Sequence, residues 1–188
     1  MPSSTSGTPA GPSTIPRGPD VLASLYPDWP QYATRLRDAV AGLTAEELAI
    51  RAGPDHGPIW ALAAHTAGAR VYWLCGVLEQ PGAERTPFTE PLTGLGWEDD
   101  PSHPRSGEEL AWALDSSWEV VRDCLERWTV DDLAKEAVRT WGDVRQVHTR
   151  ASVLNRIFTH DAFHAGEISQ LLGVHSLTPI DLWARRPG

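Results

Sequence analysis

Apolar positions recur at intervals of three and four residues in four long stretches, a helical period that predicts an all-α protein. The first stretch carries Tyr32, Leu36, Val40 and Leu43 after a helix start at Asp28, with Pro30 tolerated in the first turn. The second runs over 57–78, opens with Pro58, and aligns Ile59, Leu62, His65, Ala69, Trp73 and Val77 on one stripe. The third starts at a capping box of Ser106 and Glu109 and aligns Leu110, Leu114, Val121, Leu125 and Trp128. The fourth, capped by Thr149 or Ser152 and ending at Gly173, aligns Val153, Ile157, His160, His164, Ile168 and Leu171.

The connections carry signals of their own. Thr44-Ala-Glu-Glu47 is a capping box for a short helix that ends at Gly53-Pro54. Residues 80–107 contain several prolines and glycines, Trp97 and the acidic run Glu98-Asp99-Asp100, and read as a long loop, either a functional lid or a solvated excursion. Trp128-Thr-Val-Asp-Asp-Leu-Ala-Lys-Glu-Ala137 echoes Leu43-Thr-Ala-Glu-Glu-Leu-Ala-Ile-Arg-Ala52, either through duplication or because both are good helix-start chemistry. Between Val138 and His148, β-favouring residues flank Gly142-Asp143, which predicts a short hairpin. Residues 1–20 are rich in Pro, Ser, Thr and Gly and are expected to form a disordered tail, with one helical domain over 21–176 and a C-terminal tail over 177–188.

Composition narrows the functional classes. At 188 residues and 41% hydrophobic, the chain is long enough for one full core. A net charge of −9 and the lack of any basic run argue against a nucleic-acid partner. No apolar run reaches membrane-spanning length and no signal-peptide pattern opens the chain, so a cytoplasmic protein with no membrane partner is expected. Cys75 and Cys124 lack ligand spacing and suit buried packing in a reducing compartment. The nine tryptophans fit core packing, an aromatic pocket or an apolar oligomer face, the last implying a homodimer.

The chemistry concentrates on histidine. His160 and His164 stand four residues apart, one turn of helix, so their imidazoles can converge on one point. Asp161 follows the first of them, so the zinc-protease pattern His-Glu-x-x-His is not met. A histidine on an apolar face is ordinarily a core residue with one satisfied hydrogen bond, and that reading stays open for each. Three neutral imidazoles on two neighbouring helices, His65 with His160 and His164, can instead hold one metal and leave a coordination position free, as catalytic sites do. Glu167, one turn past His164, is a candidate proton acceptor or orienting carboxylate, and Asp161 a second candidate, against the ordinary reading of each as a solvated or salt-bridged side chain. His56 and His148 fall in loop and hairpin positions.

Pro58-Ile-Trp-Ala-Leu-Ala-Ala-His65, joined to the late His160-Asp-Ala-Phe-His164-Ala-Gly-Glu-Ile-Ser, resembles the DinB/YfiT-like metalloenzyme superfamily over about Asp28 to Gly173. The resemblance implies a four-helix up-down-down-up bundle, with His65, His160 and His164 as ligands to a divalent metal, zinc or nickel. It further implies metal-dependent thiol S-transfer or hydrolysis of a small-molecule substrate, with a low-molecular-weight thiol such as mycothiol or bacillithiol as a candidate co-substrate. Many relatives carry another histidine about one turn before the metal pair, where Asn155 and Arg156 stand here. The competing class is a non-enzymatic one, a stress-related metal-binding bundle or a structural bundle with a histidine hydrogen-bond network.

Overall fold

A computed structural model describes residues 20–181, so the expected N-terminal tail up to residue 19 and residues 182–188 lie outside the described residues. The chain is mostly helical, with one two-stranded sheet. In order it forms α1 (Asp20–Leu25), α2 (Trp29–Ala41), α3 (Ala45–Leu48), α4 (Ile59–Val71) and α5 (Gly107–Arg127). A hairpin follows, β1 (Glu136–Trp141) and β2 (Val144–Thr149), and then α6 (Arg150–Val174). A π-helical segment, Tyr72–Val77, extends α4, and short 3-10 turns occupy Ala83–Arg85, Trp97–Asp99 and Asp131–Ala134.

Three helix starts follow the capping chemistry, whereas Asp28 makes no side-chain capping bond at the start of α2. Thr44 with Glu47, and Ser106 with Glu109, form reciprocal capping boxes, and the Thr149 hydroxyl accepts from the Ser152 amide. The second copy of the Thr-acid motif also closes on itself, Thr129 accepting from Asp132, but it makes a 3-10 turn rather than an α-helix. The hairpin pairs Glu136 with Thr149 through Trp141 with Val144, and its turn is made by Gly142-Asp143 with Gly142 at φ +56°. At Gly107 a Cβ would lie 2.7 Å from the Ala41 carbonyl oxygen, so the start of α5 can approach the end of α2 only as glycine.

Helices α2, α4, α5 and α6 enclose the core. One hydrophobic cluster joins Leu36, Val40, Ile59, Leu110, Leu114 and Ile168, and a second joins Trp29, Leu74, Val121, Cys124, Val153 and Ile157. Burying large side chains of this kind contributes roughly 1.5–3 kcal/mol each. Cys75 and Cys124 are free, and burial pushes their thiols up to about 11 and about 12, so neither is a ready nucleophile.

Two stripes differ from their sequence pattern in a way that matters for the site. In α6 the buried line runs Val153, Ile157, Asp161, Ala165, Ile168, which sets His160 and His164 on its flank. In α4 small residues let the helix sink into the core on most sides, burying Ala63, Ala64, Ala67, Arg70 and Val71, whereas His65 is left with its side chain 43% exposed. The histidines therefore border the groove between α4 and α6 and do not fill the core.

Arg70 locks this arrangement. Its side chain is 1% exposed, its Nε donates to both carboxylate oxygens of Asp161 at 3.1 Å, and its Nη1 donates to the Leu114 carbonyl at 3.1 Å and to Ser117 Oγ at 3.3 Å. Its Nη2 lies 3.0 Å from Asp161 Oδ2, an ion-pair contact off the hydrogen-bond direction. Trp29 Nε1 donates to the same Asp161 oxygen at 3.0 Å. One buried ion pair thus connects α2, α4, α5 and α6.

Candidate metal centre

The groove between α4 and α6 brings three imidazoles together. His65 comes from the second turn of α4, while His160 and His164 lie on successive turns of α6. His160 Nε2 is 3.0 Å from His65 Nε2 and 3.2 Å from His164 Nε2, and one ligand atom from each residue falls within 4.8 Å of the others. The three rings are mutually tilted or edge-on, with centroids 4.4 to 5.1 Å apart.

Two carboxylates fix the tautomers. His65 Nδ1 lies 2.7 Å from Glu98 Oε1, and His164 Nδ1 lies 2.6 Å from Glu167 Oε2. An ionised carboxylate only accepts, so each Nδ1 carries the proton and, in the neutral ring, each Nε2 presents a lone pair to the groove. His160 Nε2 can direct at most one N–H, at one of its two neighbours. With His65 and His164 neutral, at least one of these two nitrogen pairs is therefore left without a well-aligned hydrogen bond unless a cation lies between them.

The electrostatics follow from the same geometry. The hydrogen bond to Glu98 raises the His65 pKa, against an opposing effect of burial and with further help from the charges of Glu98, Asp99 and Glu167. Burial first, then the charges of His164, His65, Arg70 and Arg156, holds His160 down at about 3, so this imidazole stays neutral across the physiological range. Neutral imidazole is the form that ligates a metal.

Asp161 is not brought into this cluster. Its carboxylate is buried and taken up by Arg70 and Trp29, and it borders a separate cavity of about 240 Å³ lined by Trp29, Tyr32, Leu36 and Phe158. Glu167 does reach the site, through His164. His148 lies on β2 against Trp73, with ring centroids 5.0 Å apart, and His56 is exposed beyond α3.

Sequence reasoning missed two contributors. Glu98 sits in the 3-10 turn Trp97–Asp99 of the long loop, which packs on α4 and is held there by contact of Trp97 with Phe88 at 5.5 Å and with Arg105 at 4.3 Å. The acidic run was visible, but its destination depends on a loop path that no periodicity encodes. Arg70 was readable as a charge inside a helix otherwise rich in alanine and large apolar residues, a position that demands a buried partner.

Comparison with known proteins agrees with the fold. A family model described as the DinB superfamily matches residues 31–168. A crystal structure of a DinB-like protein from Bacillus cereus ATCC 10987 aligns with a TM-score of 0.59 at 20% identity, covering 86% of this chain and 93% of that one, a likeness of fold. No curated protein matches. Among the described residues, no helix is long and apolar enough to cross a membrane.

Proposed function

The chain belongs to the DinB superfamily, and from that premise we propose that it is a divalent-metal-dependent enzyme whose centre is His65, His160 and His164, carrying out thiol S-transfer or hydrolysis on a small molecule. The observation that carries the reading is the convergence of three Nε2 atoms in a half-open groove, where one His160 N–H cannot serve both neighbours. A hydrogen-bonded network of neutral imidazoles without metal leaves one of the two close contacts unsatisfied. Three imidazoles and no cysteine also fit an open site better than a closed structural one, and the donor set suits zinc or nickel.

When bound there, a divalent ion lowers the pKa of a water or thiol and so supplies a nucleophile near neutral pH. Glu98 and Glu167 hold the Nδ1 protons of His65 and His164, aim both rings and strengthen them as donors. Glu167 is therefore a positioning residue in this reading, and its side chain, 40% exposed, is also placed to accept a proton at the groove mouth. Asp161 acts only through the fold, by anchoring α6 beside His160. The architecture we propose is the up-down-down-up four-helix bundle, a domain of residues 21–176, acting in the cytoplasm with homodimerisation as an expectation. A low-molecular-weight thiol remains a candidate co-substrate.

Cobalt substitution tests the reading. The protein should take up about one equivalent of Co(II), and a thiol should change its visible spectrum by joining the metal. A cobalt spectrum indifferent to thiols leaves hydrolysis as the reaction. Failure to bind cobalt in the folded protein sinks the enzyme reading and favours a structural bundle.

A further inference from the structure

Below the histidines, the groove between α4 and α6 turns basic. Arg156 precedes His160 by four residues on α6, which places it one turn away on the same side, about 6 Å along the axis. Its guanidinium lies 4.7 Å from the Trp73 ring centroid, and that of Arg139, from β1, lies 5.2 Å from the same ring. His148 closes the group edge-on to Trp73, its ring centroid 5.0 Å away. Arg139 and His148 project from the same face of the hairpin, since the register pairs Arg139 with Gln146 and Ala137 with His148.

Two features separate this cluster from ordinary cation–aromatic packing. Among the described residues no carboxylate pairs with either arginine, although the chain carries a net charge of −9. The one hydrogen bond of the Arg139 side chain among the described residues goes to the Gln146 side-chain oxygen, at 3.4 Å, and its other neighbours are the rings of Trp141 at 4.4 Å, Tyr72 and Trp73. In addition, Arg139 Nε and His148 Nε2 are both buried without a hydrogen-bond partner. Native proteins rarely leave buried polar atoms unsatisfied; the Arg139 Nε–H calls for an acceptor, and so does His148 Nε2 in the tautomer that carries its proton there. Consistent with this, the charges of Arg156 and Arg139 add to burial in depressing the His148 pKa. The opposite end of the groove is acidic, with Glu98 and Glu167 holding the histidines.

We propose that Arg139, Arg156 and His148 form an anion subsite that seats a carboxylate of the small-molecule substrate or co-substrate, one helical turn from the histidine cluster. The proposal deepens the metal-enzyme reading and rests on it for the word substrate, but the subsite is built from residues outside the histidine triad. Guanidiniums present fixed pairs of donors that match a carboxylate, and the Trp73 ring lies against both, with Trp141 also against Arg139. The reactive group of the ligand would then reach the histidines while its acidic end is held at the arginines.

Calorimetric titration of the full-length, metal-free protein with glutarate and with neutral glutaramide tests this without depending on the metal. Glutarate should bind saturably and weaken with added salt, and glutaramide should bind at least about tenfold less tightly. Arg156→Gln, a change at an exposed side chain, should weaken glutarate by about tenfold with an unchanged far-UV spectrum, whereas Arg145→Gln, on the other face of the hairpin, should not change it. Equal affinity for glutarate in Arg156→Gln and wild type, equal affinity for the diamide, or no saturable glutarate binding overturns the proposal. Zinc uptake by the same protein and by its His164→Ala variant reports separately on the metal reading, so either can fail alone.

Discussion

Replacing Asp161 by alanine leaves the Arg70 guanidinium in the core with its main counter-charge gone. Arg70 is 1% exposed, so water does not reach it without local opening, and its remaining bonds to the Leu114 carbonyl and Ser117 Oγ engage only Nη1. Breaking a buried pair by removing one partner costs about 3–5 kcal/mol. The Trp29 indole N–H loses its acceptor as well, and a buried unsatisfied donor adds about 1–3 kcal/mol. For a chain of this size about 2–4 °C of melting temperature accompanies each kcal/mol, so Asp161→Ala should melt at least about 6 °C below wild type. The double variant Arg70→Met/Asp161→Leu removes both charges and should recover most of the loss, because hydrophobic replacement of a whole buried pair is often neutral. Thermal and urea unfolding of the metal-free proteins, compared as a double-mutant cycle, measures the coupling. A loss under about 1 kcal/mol in Asp161→Ala would refute the claim that this pair holds the helices together.

Four further outcomes are expected. Glu167→Gln, which weakens the acceptor for His164 Nδ1, should lower zinc affinity by about 10- to 100-fold in a competition titration, with the fold unchanged; unaltered affinity would remove Glu167 from the site. In the metal-free protein, the unfolded chain gains a proton on His160 between its ordinary 6.5 and about 3, so this group's contribution makes stability fall as pH drops through that window, and His160→Asn should flatten the fall; the slope is at most about 1.4 kcal/mol per pH unit, less solvent screening. His65 acts in the opposite sense, its raised pKa giving stability present below 6.5 and lost as pH rises through the folded value. Metal affinity itself should fall below about pH 6 as imidazoles protonate. Chelation should lower the melting temperature of the loaded protein without unfolding it, because two apolar clusters hold the helices independently of the site; complete unfolding on chelation would contradict this.

Much of this molecule was legible in its sequence where local chemistry decides the outcome. The capping boxes at Thr44 and Ser106, the turn at Gly142-Asp143 and the helical period of the third stretch all depend on neighbours within a few residues, and all form. The gathering of His65, His160 and His164 was readable because helical spacing and chain order constrain which faces meet. What failed was the fine register of the stripes. Periodicity ranks a histidine and an aspartate by polarity, so His160 reads as the core position and Asp161 as the flank. The buried Arg70 reverses that order, since a charge already in the core draws its partner inward. Glu98 and the Trp73 cluster were not legible at all, because both depend on a loop and a hairpin folding back on helices distant in sequence.

Elemental analysis of untagged protein tests the central claim most directly, with wild type compared against His65→Leu, His164→Leu and His148→Leu. Wild type and His148→Leu should each carry about one divalent ion per chain, while His65→Leu and His164→Leu should keep the helical spectrum and lose most of the metal, because two imidazoles hold an ion far less tightly than three. Stoichiometric metal retained in His65→Leu, or a folded wild type that binds none, would contradict the account.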